Sequence, residues 1–279
     1  MKYMDNKFSV LMTVYKMEKP EYLNQSLSSI EEQTLLPQEI VLVEDGPLTD
    51  ELERVIEIHK RQFKNKFKII KSNVNRGRGL ASRLGLKYIS TDWVARVDSD
   101  DICYKNRFKL QLEALEKNHN IKMIGGQITE FQDMPQNITG KREVPLSFKE
   151  IEKFARYRSP INNPTLMFNK KALDLIGGYP MLNVLEDYDL CIRFLVNNLE
   201  IINLPYNLVN MRVNKQMYKR RGGVKYLCQY ILMKWKWYKM GIGNIKSLVL
   251  SDVLMTGNII LPVNIRRLVY SLFLRKRQK

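Results

Sequence analysis

The chain has 279 residues, of which 44% are hydrophobic, and a net charge of +17. That length and apolar content suit one large domain, or a domain with an appendage, around a buried core, and they argue against a chain dominated by disorder. The three cysteines (Cys103, Cys191, Cys228) lack metal-ligand spacing and the two histidines (His59, His119) sit in polar helix-like segments, which speaks against a cysteine or histidine metal centre or a histidine triad.

The first hundred residues alternate strand and helix. Phe8 to Val14 is a short apolar run. Pro20 then suits a helix start, with Leu23, Leu27 and Ile30 at helical spacing. Glu39 to Val43 reads as a second buried strand, closed by Glu44-Asp45-Gly46-Pro47. A helix carrying Leu52, Val55, Ile56 and Phe63 follows, then a strand over Phe67 to Ile70. A Gly-rich loop, Asn75-Arg76-Gly77-Arg78-Gly79, leads into a helix from about Leu80 to Ile89. Trp93 to Val97 is a fourth strand that runs into Asp98-Ser99-Asp100-Asp101. Beyond it, helices are expected over Arg107–Lys117, Phe148–Arg156, Lys170–Ile176 and Asp187–Asn197, with strands near Lys122–Ile128, Thr165–Phe168 and Ile201–Leu204.

This alternation predicts an α/β fold with a mostly parallel sheet flanked by helices. Ligands bind at the carboxyl ends of the strands in such sheets. The polar residues fall at those ends: Thr13 and Tyr15, Glu44 and Asp45, Asn75 to Gly79, and Asp98 to Asp101. Four separate segments therefore converge on one rim.

Charge divides the chain. Residues 212–279 hold sixteen basic residues and one acid, Asp252, for a net +15, which leaves +2 for residues 1–211. The expected organisation is a globular domain over 1–211, with a donor half to about 105 and an acceptor half from about 106, followed by a basic helical extension over 212–279. In the extension, Tyr230, Trp235, Trp237 and Tyr238 interleave with Lys234, Lys236 and Lys239, a composition suited to a membrane interface. The apolar run from Leu248 to Leu261 is broken by Asp252 and Asn258, too short for a bilayer span. The polar N-terminus shows no signal-peptide pattern and the cysteine usage fits a reducing compartment. Packed amphipathic helices with a solvated basic face are the alternative reading of the extension.

Three segments carry candidate chemistry. Asp98 to Asp101 offers hard oxygen ligands for Mg²⁺ or Mn²⁺, and equally a solvated turn. Glu186-Asp187 precedes a helix, where acids either favour the helix dipole or serve as a general base. The Gly-rich loop reads first as a plain tight turn; alternatively, its glycines permit close backbone approach and its arginines can meet phosphate. It lacks the Lys-Ser/Thr ending of a P-loop, which removes support for a simple kinase or ATPase.

Together the segments resemble the family-2 glycosyltransferases of the GT-A fold, over about Phe8 to Arg221. FSVLMTVYK is similar to the family's opening strand, IVLVEDG to the strand that ends in an acidic uracil contact, and ARVDSDD to its metal-binding signature. NNPTLMFNKKAL, GGYP and LEDYDLCIR are similar to the acceptor-side segment ending in the Glu-Asp motif. LVEDGPLTDEL, ARVDSDDICYKNRF and KRRGG resemble the bacterial O-antigen and exopolysaccharide subgroup. The resemblance implies that Thr13, Tyr15 and Asp45 hold the uracil and that Arg76 or Arg78 lies near the nucleotide. It further implies that Asp100 contacts the ribose, that Asp101 and Asp100 meet a Mn²⁺ or Mg²⁺ ion, and that Asp98 supports the loop. Asp187 would be the catalytic base and Glu186 its neighbour.

The implied reaction is an inverting transfer of galactose or glucose from a UDP-sugar to an undecaprenyl-diphosphate-linked N-acetylhexosamine, in β-1,3 linkage. It would occur at the cytoplasmic face of the bacterial inner membrane, with the basic extension on the anionic lipid surface and no nucleic acid as partner. Two residues depart from the family pattern: Arg83 stands where many members carry asparagine, and Asn162-Asn163-Pro164 lacks a histidine before the proline. No tryptophan follows an arginine, so the Gln-x-x-Arg-Trp signature of processive synthases is missing and one sugar per encounter is expected. A nucleic-acid-binding protein using the basic extension, and a nucleotide-sugar-binding protein without catalysis, are the competing readings.

Overall fold

The computed structural model describes residues 7–213 and 223–260. Arg220, Arg221 and the chain beyond Ile260 lie outside the described residues, and so do ten of the sixteen basic residues after Met211.

The strands β1 (Phe8–Val14), β2 (Glu39–Asp45), β3 (Phe67–Ser72) and β4 (Trp93–Asp98) pair in parallel in the order β3-β2-β1-β4. Their near-continuous apolar sequences suit strands covered on both faces. Alternation assigns the faces: Val10, Met12, Ile40 and Leu42 enter one core, and Leu11, Val41 and Val43 enter the other. Helices α1 (Pro20–Glu31), α2 (Asp50–Phe63) and α4 (Arg107–Lys117) cover the first face, while α3 (Arg78–Leu86) lies on the second. Gly85 lets α3 press onto the sheet, since a Cβ there would meet Leu11 and Val43. Local chemistry fixes the helix ends. The Thr49 side chain caps α2, which carries acids in its first turn and Lys60 and Arg61 in its last. Buried His59 of α2 bonds Glu31 and Asn24 of α1, a packing role.

The sheet continues through β8 (Met167–Asn169), β6 (Ile121–Phe131), β9 (Glu200–Arg212) and the two-residue β5 (Ile102–Cys103), with β7 (Ile138–Arg142) on β6. The short β5 and β7 carry no sequence signal of their own. β9 runs past the expected end at Leu204, because Pro205 falls where the β6–β9 register shifts, a bulge that tolerates a missing N–H. The boundary expected at 211/212 falls inside β9. Because β5 pairs with β9 (Ile102 beside Asn210), the chain leaving the aspartates is stitched to the strand that ends in Arg212.

Helices α5 (Phe148–Ala155), α6 (Lys170–Leu175) and α7 (Glu186–Val196) complete the second face. Ser147 and Glu150 form a capping box at α5. In the C-terminal region, α8 (Val224–Lys239) buries Tyr230, Lys234 and Trp237, and α9 (Ile245–Ile260) packs on α8. Among the described residues no helix is long and apolar enough to cross a membrane.

Candidate active site

Strand register builds the rim. Thr13 lies beside Asp98, and Val14 beside Glu44. Tyr15 follows Thr13, and both are half-buried. Glu44 is buried against Lys71 at 3.1 Å, and burial raises its carboxyl above the usual value despite that ammonium. At the end of β2, Asp45 Oδ1 accepts the Arg76 N–H at 2.8 Å and Oδ2 accepts the Gly77 N–H at 3.0 Å. Asn75 Nδ2 donates to the Asp45 carbonyl at 3.1 Å. The buried Asp45 thus pins the Gly-rich loop, and the Arg76 side chain stays exposed. Gly77 has φ of 87°, a left-handed conformation that favours glycine, and a Cβ on Gly79 would collide with the carbonyls of Pro180 and Leu182. The loop therefore lies directly against the Pro180–Asn183 segment. A cleft of about 250 Å³ opens beside it, lined by Asp45, Ser72, Arg76, Arg83 and Met181.

Arg78 opens α3 and joins the two acidic motifs. Its Nε lies 3.1 Å from Glu186 Oε1, and its guanidinium lies 3.9 Å from Asp98 Oδ2. Asp98 also accepts from Arg96 (3.3 Å and 3.0 Å) and from Asn163 Nδ2 (3.3 Å). Arg96 is buried in β4 and donates to the Tyr179 hydroxyl. Burial opposes the Arg96 charge, yet Tyr179, Asp98 and Glu186 outweigh it and hold the guanidinium above its ordinary value. Burial likewise raises the Glu186 carboxyl, opposed by Arg78.

The aspartate turn is tied down from behind. Ser26 donates to the Asp98 carbonyl at 2.9 Å, and Ser99 donates to Glu18 at 2.6 Å. Asp101 is buried, and its Oδ1 accepts the Arg212 N–H at 2.8 Å. The Arg212 guanidinium donates to the Asp100 carbonyl at 3.1 Å and to Gln25, and lies over the rings of Tyr22 and Phe131. Burial, and then the neighbouring Asp100 and Asp98 charges, push the Asp101 carboxyl well above the usual range. Such crowding is what a divalent cation relieves, and the oxygen donors suit Mg²⁺ or Mn²⁺. Among the described residues no group of three or more acidic, histidine or cysteine side chains forms a closed metal cage. The residues therefore fit a cation held by one or two carboxylates with further oxygens from phosphate and water.

Glu186 and Asp187 begin α7, after Leu185 in a left-handed conformation. Glu186 is buried on Arg78. Asp187 is half-buried, and its side chain makes no hydrogen bond or ion pair with a described residue. The structure thus brings Asp98, Glu186 and Asp187 together around Arg78, with Thr13 beside Asp98 and Asp45 across the loop. Arg83 holds the Gly177 and Tyr179 carbonyls at 3.3 Å and 3.2 Å, so this departure from the family pattern clamps the GGYP turn. Arg96, Tyr179 and Arg212 were not among the site residues expected from the sequence, and Asn163, noted there only as part of a departure from the family pattern, bonds Asp98. Arg96 alone gave a signal, a charge within an apolar strand.

A mixed α/β sheet with an acidic turn at a parallel strand end, facing a helix that starts with Glu-Asp, defines a GT-A glycosyltransferase. Residues 9–177 match the model of "Glycosyl transferase family 2", and the chain belongs to that family. It is 33% identical over 270 residues, 97% of each chain, to an Escherichia coli UDP-Gal:alpha-D-GlcNAc-diphosphoundecaprenol beta-1,3-galactosyltransferase. It is 32% identical to the amylovoran biosynthesis glycosyltransferase AmsE of Erwinia amylovora, over 94% of this chain and 97% of that one. In fold it is similar to the mannosyltransferase PcManGT from Pyrobaculum calidifontis, in complex with GDP-Man and Mn²⁺, at a TM-score of 0.63 and 14% identity, covering 96% of this chain and 87% of that one.

Proposed function

We propose that this protein is an inverting, non-processive hexosyltransferase. It moves galactose or glucose from a UDP-sugar to an undecaprenyl-diphosphate-linked N-acetylhexosamine, forming a β-1,3 linkage during O-antigen or surface-polysaccharide assembly. The observation that carries the transferase reading is the half-buried Asp187 carboxylate, without a described partner, next to Glu186, which Arg78 joins to Asp98 at a strand end. The full-length likeness to the E. coli galactosyltransferase supports the donor, acceptor and linkage.

Asp187 takes the proton of the acceptor hydroxyl. The hydroxyl oxygen then bonds the anomeric carbon as UDP departs with the electrons of the breaking bond, so an α-linked donor yields a β-linked product. Asp100 and Asp101 would hold a Mn²⁺ or Mg²⁺ ion, which supplies positive charge to the leaving diphosphate. Thr13, Tyr15 and Asp45 face the uracil, Arg76 lies nearby, and Asp100 reaches the ribose. Arg78, paired with Asp98 and Glu186, ties the donor side to the acceptor side, and its charge opposes the burial that raises the Glu186 carboxyl.

The C-terminal helices support attachment to the cytoplasmic face of the inner membrane. Leu232 and Trp235 of α8 and Ile245, Val249, Leu250, Val253 and Leu254 of α9 are exposed, close to Lys239 and Lys246. Release of the protein by high salt or alkali is expected; a need for detergent would overturn peripheral attachment. The reaction is tested with a panel of UDP-sugars against synthetic N-acetylhexosamine-diphosphate-lipid acceptors, with and without Mn²⁺. Transfer of one galactose or glucose, dependent on the cation, is expected. Binding of UDP-sugar without transfer to any acceptor would favour the inactive nucleotide-sugar-binding reading.

A further inference from the structure

Helix α7 is held from two sides. Glu186 pairs with Arg78, and buried Asp189 is gripped by α8. Trp237 Nε1 donates to Asp189 Oδ1 at 2.9 Å, and Lys236 Nζ lies 3.5 Å from the same oxygen. Asp189 Oδ2 pairs with Arg193 Nε at 3.1 Å, and Arg193 donates to the Ile176 carbonyl at 3.1 Å. One residue earlier, Tyr188 packs on Trp237 with ring centroids 4.2 Å apart and the planes tilted by 49°, and donates to the Ala155 carbonyl at 2.5 Å. Lys234 donates to the Arg156 carbonyl from the same helix.

Helical geometry gives these contacts a consequence. At about 100° per residue, Glu186 and Asp189 lie on one side of α7, while Asp187 lies roughly 160° around from Asp189. The grip on the Glu186–Asp189 side therefore sets the direction of Asp187. Both gripped carboxylates are buried and paired, and Asp187, between them, is half-buried with no hydrogen bond or ion pair to a described residue.

We infer that Trp237 and Asp189 are positioning residues for transfer: the Trp237 indole N–H, by holding Asp189, fixes the rotation of α7 and so the aim of Asp187. The inference rests on the reading of Asp187 as base. It makes α8 part of the catalytic apparatus and gives it a role apart from membrane attachment.

The test measures kcat, the donor KM and UDP affinity for Trp237→Phe, Asp189→Ala, Asp189→Asn and the Trp237→Phe/Asp189→Ala double variant. Phenylalanine keeps an aromatic ring against Tyr188 and removes the N–H. Trp237→Phe is expected to lower kcat about tenfold, with donor KM and UDP affinity unchanged, because a small misaim of the base costs rate and not donor binding. Asp189→Asn, which keeps an oxygen for the indole N–H, should recover most of what Asp189→Ala loses. The double variant should lose little more than the worse single variant, as expected for one shared contact. Wild-type kcat in Trp237→Phe, fully additive losses, or equal kcat in Asp189→Asn and Asp189→Ala would each overturn the inference. Should Trp237→Phe prove unstable, the Asn-against-Ala comparison decides. Normal turnover in Asp187→Asn would remove the base assignment itself. A dead Asp187→Asn beside an unimpaired Trp237→Phe would remove only the positioning role.

Discussion

The two sides of the cleft are built by different means. On the proposed donor side, Thr13, Glu44, Asp45 and Asp98 stand at the ends of parallel strands, and backbone register sets them side by side. On the proposed acceptor side, Asp187 stands on a helix held by side-chain anchors from distant segments, Arg78 on Glu186 and Trp237 on Asp189. A site set by register tolerates loss of one side chain in place, because the ladder still holds the neighbours. A site set by anchors should lose geometry as well as chemistry when an anchor goes.

Four measurements break or sharpen that contrast. The largest effect is expected at the tip of the acceptor side: Asp187→Asn should reduce turnover by about 10²–10⁴-fold while UDP binding persists. Full turnover would remove the acceptor side from the chemistry. Next, Arg96→Met tests the anchor that both sides share. It takes the Arg96 bonds from half-buried Asp98, which keeps Asn163 and Arg78, and removes the donor to the Tyr179 hydroxyl, and should cost about 1–3 kcal/mol in urea unfolding, as loss of a partner from a buried hydrogen-bonded group does. A cost near zero would mean that β4 holds Asp98 by register alone.

Asp101→Ala should weaken cation-dependent UDP binding by roughly tenfold, about 1.4 kcal/mol, in calorimetry, while UDP binding without cation stays unchanged. Equal losses with and without Mn²⁺ would show that the donor side had been disordered by losing the Arg212 bond.

The last effect lies at α8 and bears on stability, not on turnover. Burial lowers the Lys234 ammonium from 10.5 to about 8, with Asp252 opposing the shift. Between those values the unfolded chain holds a proton that the folded one has released. Stability should therefore rise with pH across that window, by up to about 1.4 kcal/mol per pH unit, and level off above it. Lys234→Met should abolish that slope in thermal or urea unfolding. An unchanged slope would place the titration elsewhere.

Legibility in the sequence follows the same division. The apolar runs of β1 to β4 and the helix over Arg107–Lys117 were readable because burial of a regular element leaves a local pattern. The strand-end acids were readable for the same reason. β5 and β7 were not, since two and five residues carry no period, and Pro205 hid the second half of β9. Arg212 was assigned to a basic extension on charge, whereas its backbone N–H and guanidinium brace the aspartate turn. Charge along a chain records composition and says nothing of which carbonyl a guanidinium reaches. Trp237 read as one of several interface aromatics, although it is buried on Asp189 while Trp235 is exposed.

By itself the sequence determined the α/β order, the strand ends that carry acids, and the family, because hydrophobic period and short motifs are properties of neighbouring residues. Only the tertiary structure decided which acids are braced and which is left open. Asp98, Asp101, Glu186 and Asp189 find partners, and Asp187 finds none among the described residues. The reason is physical. A buried carboxylate costs several kcal/mol unless a donor meets it, and here many of the donors come from segments far along the chain, which only folding brings within 3 Å or so.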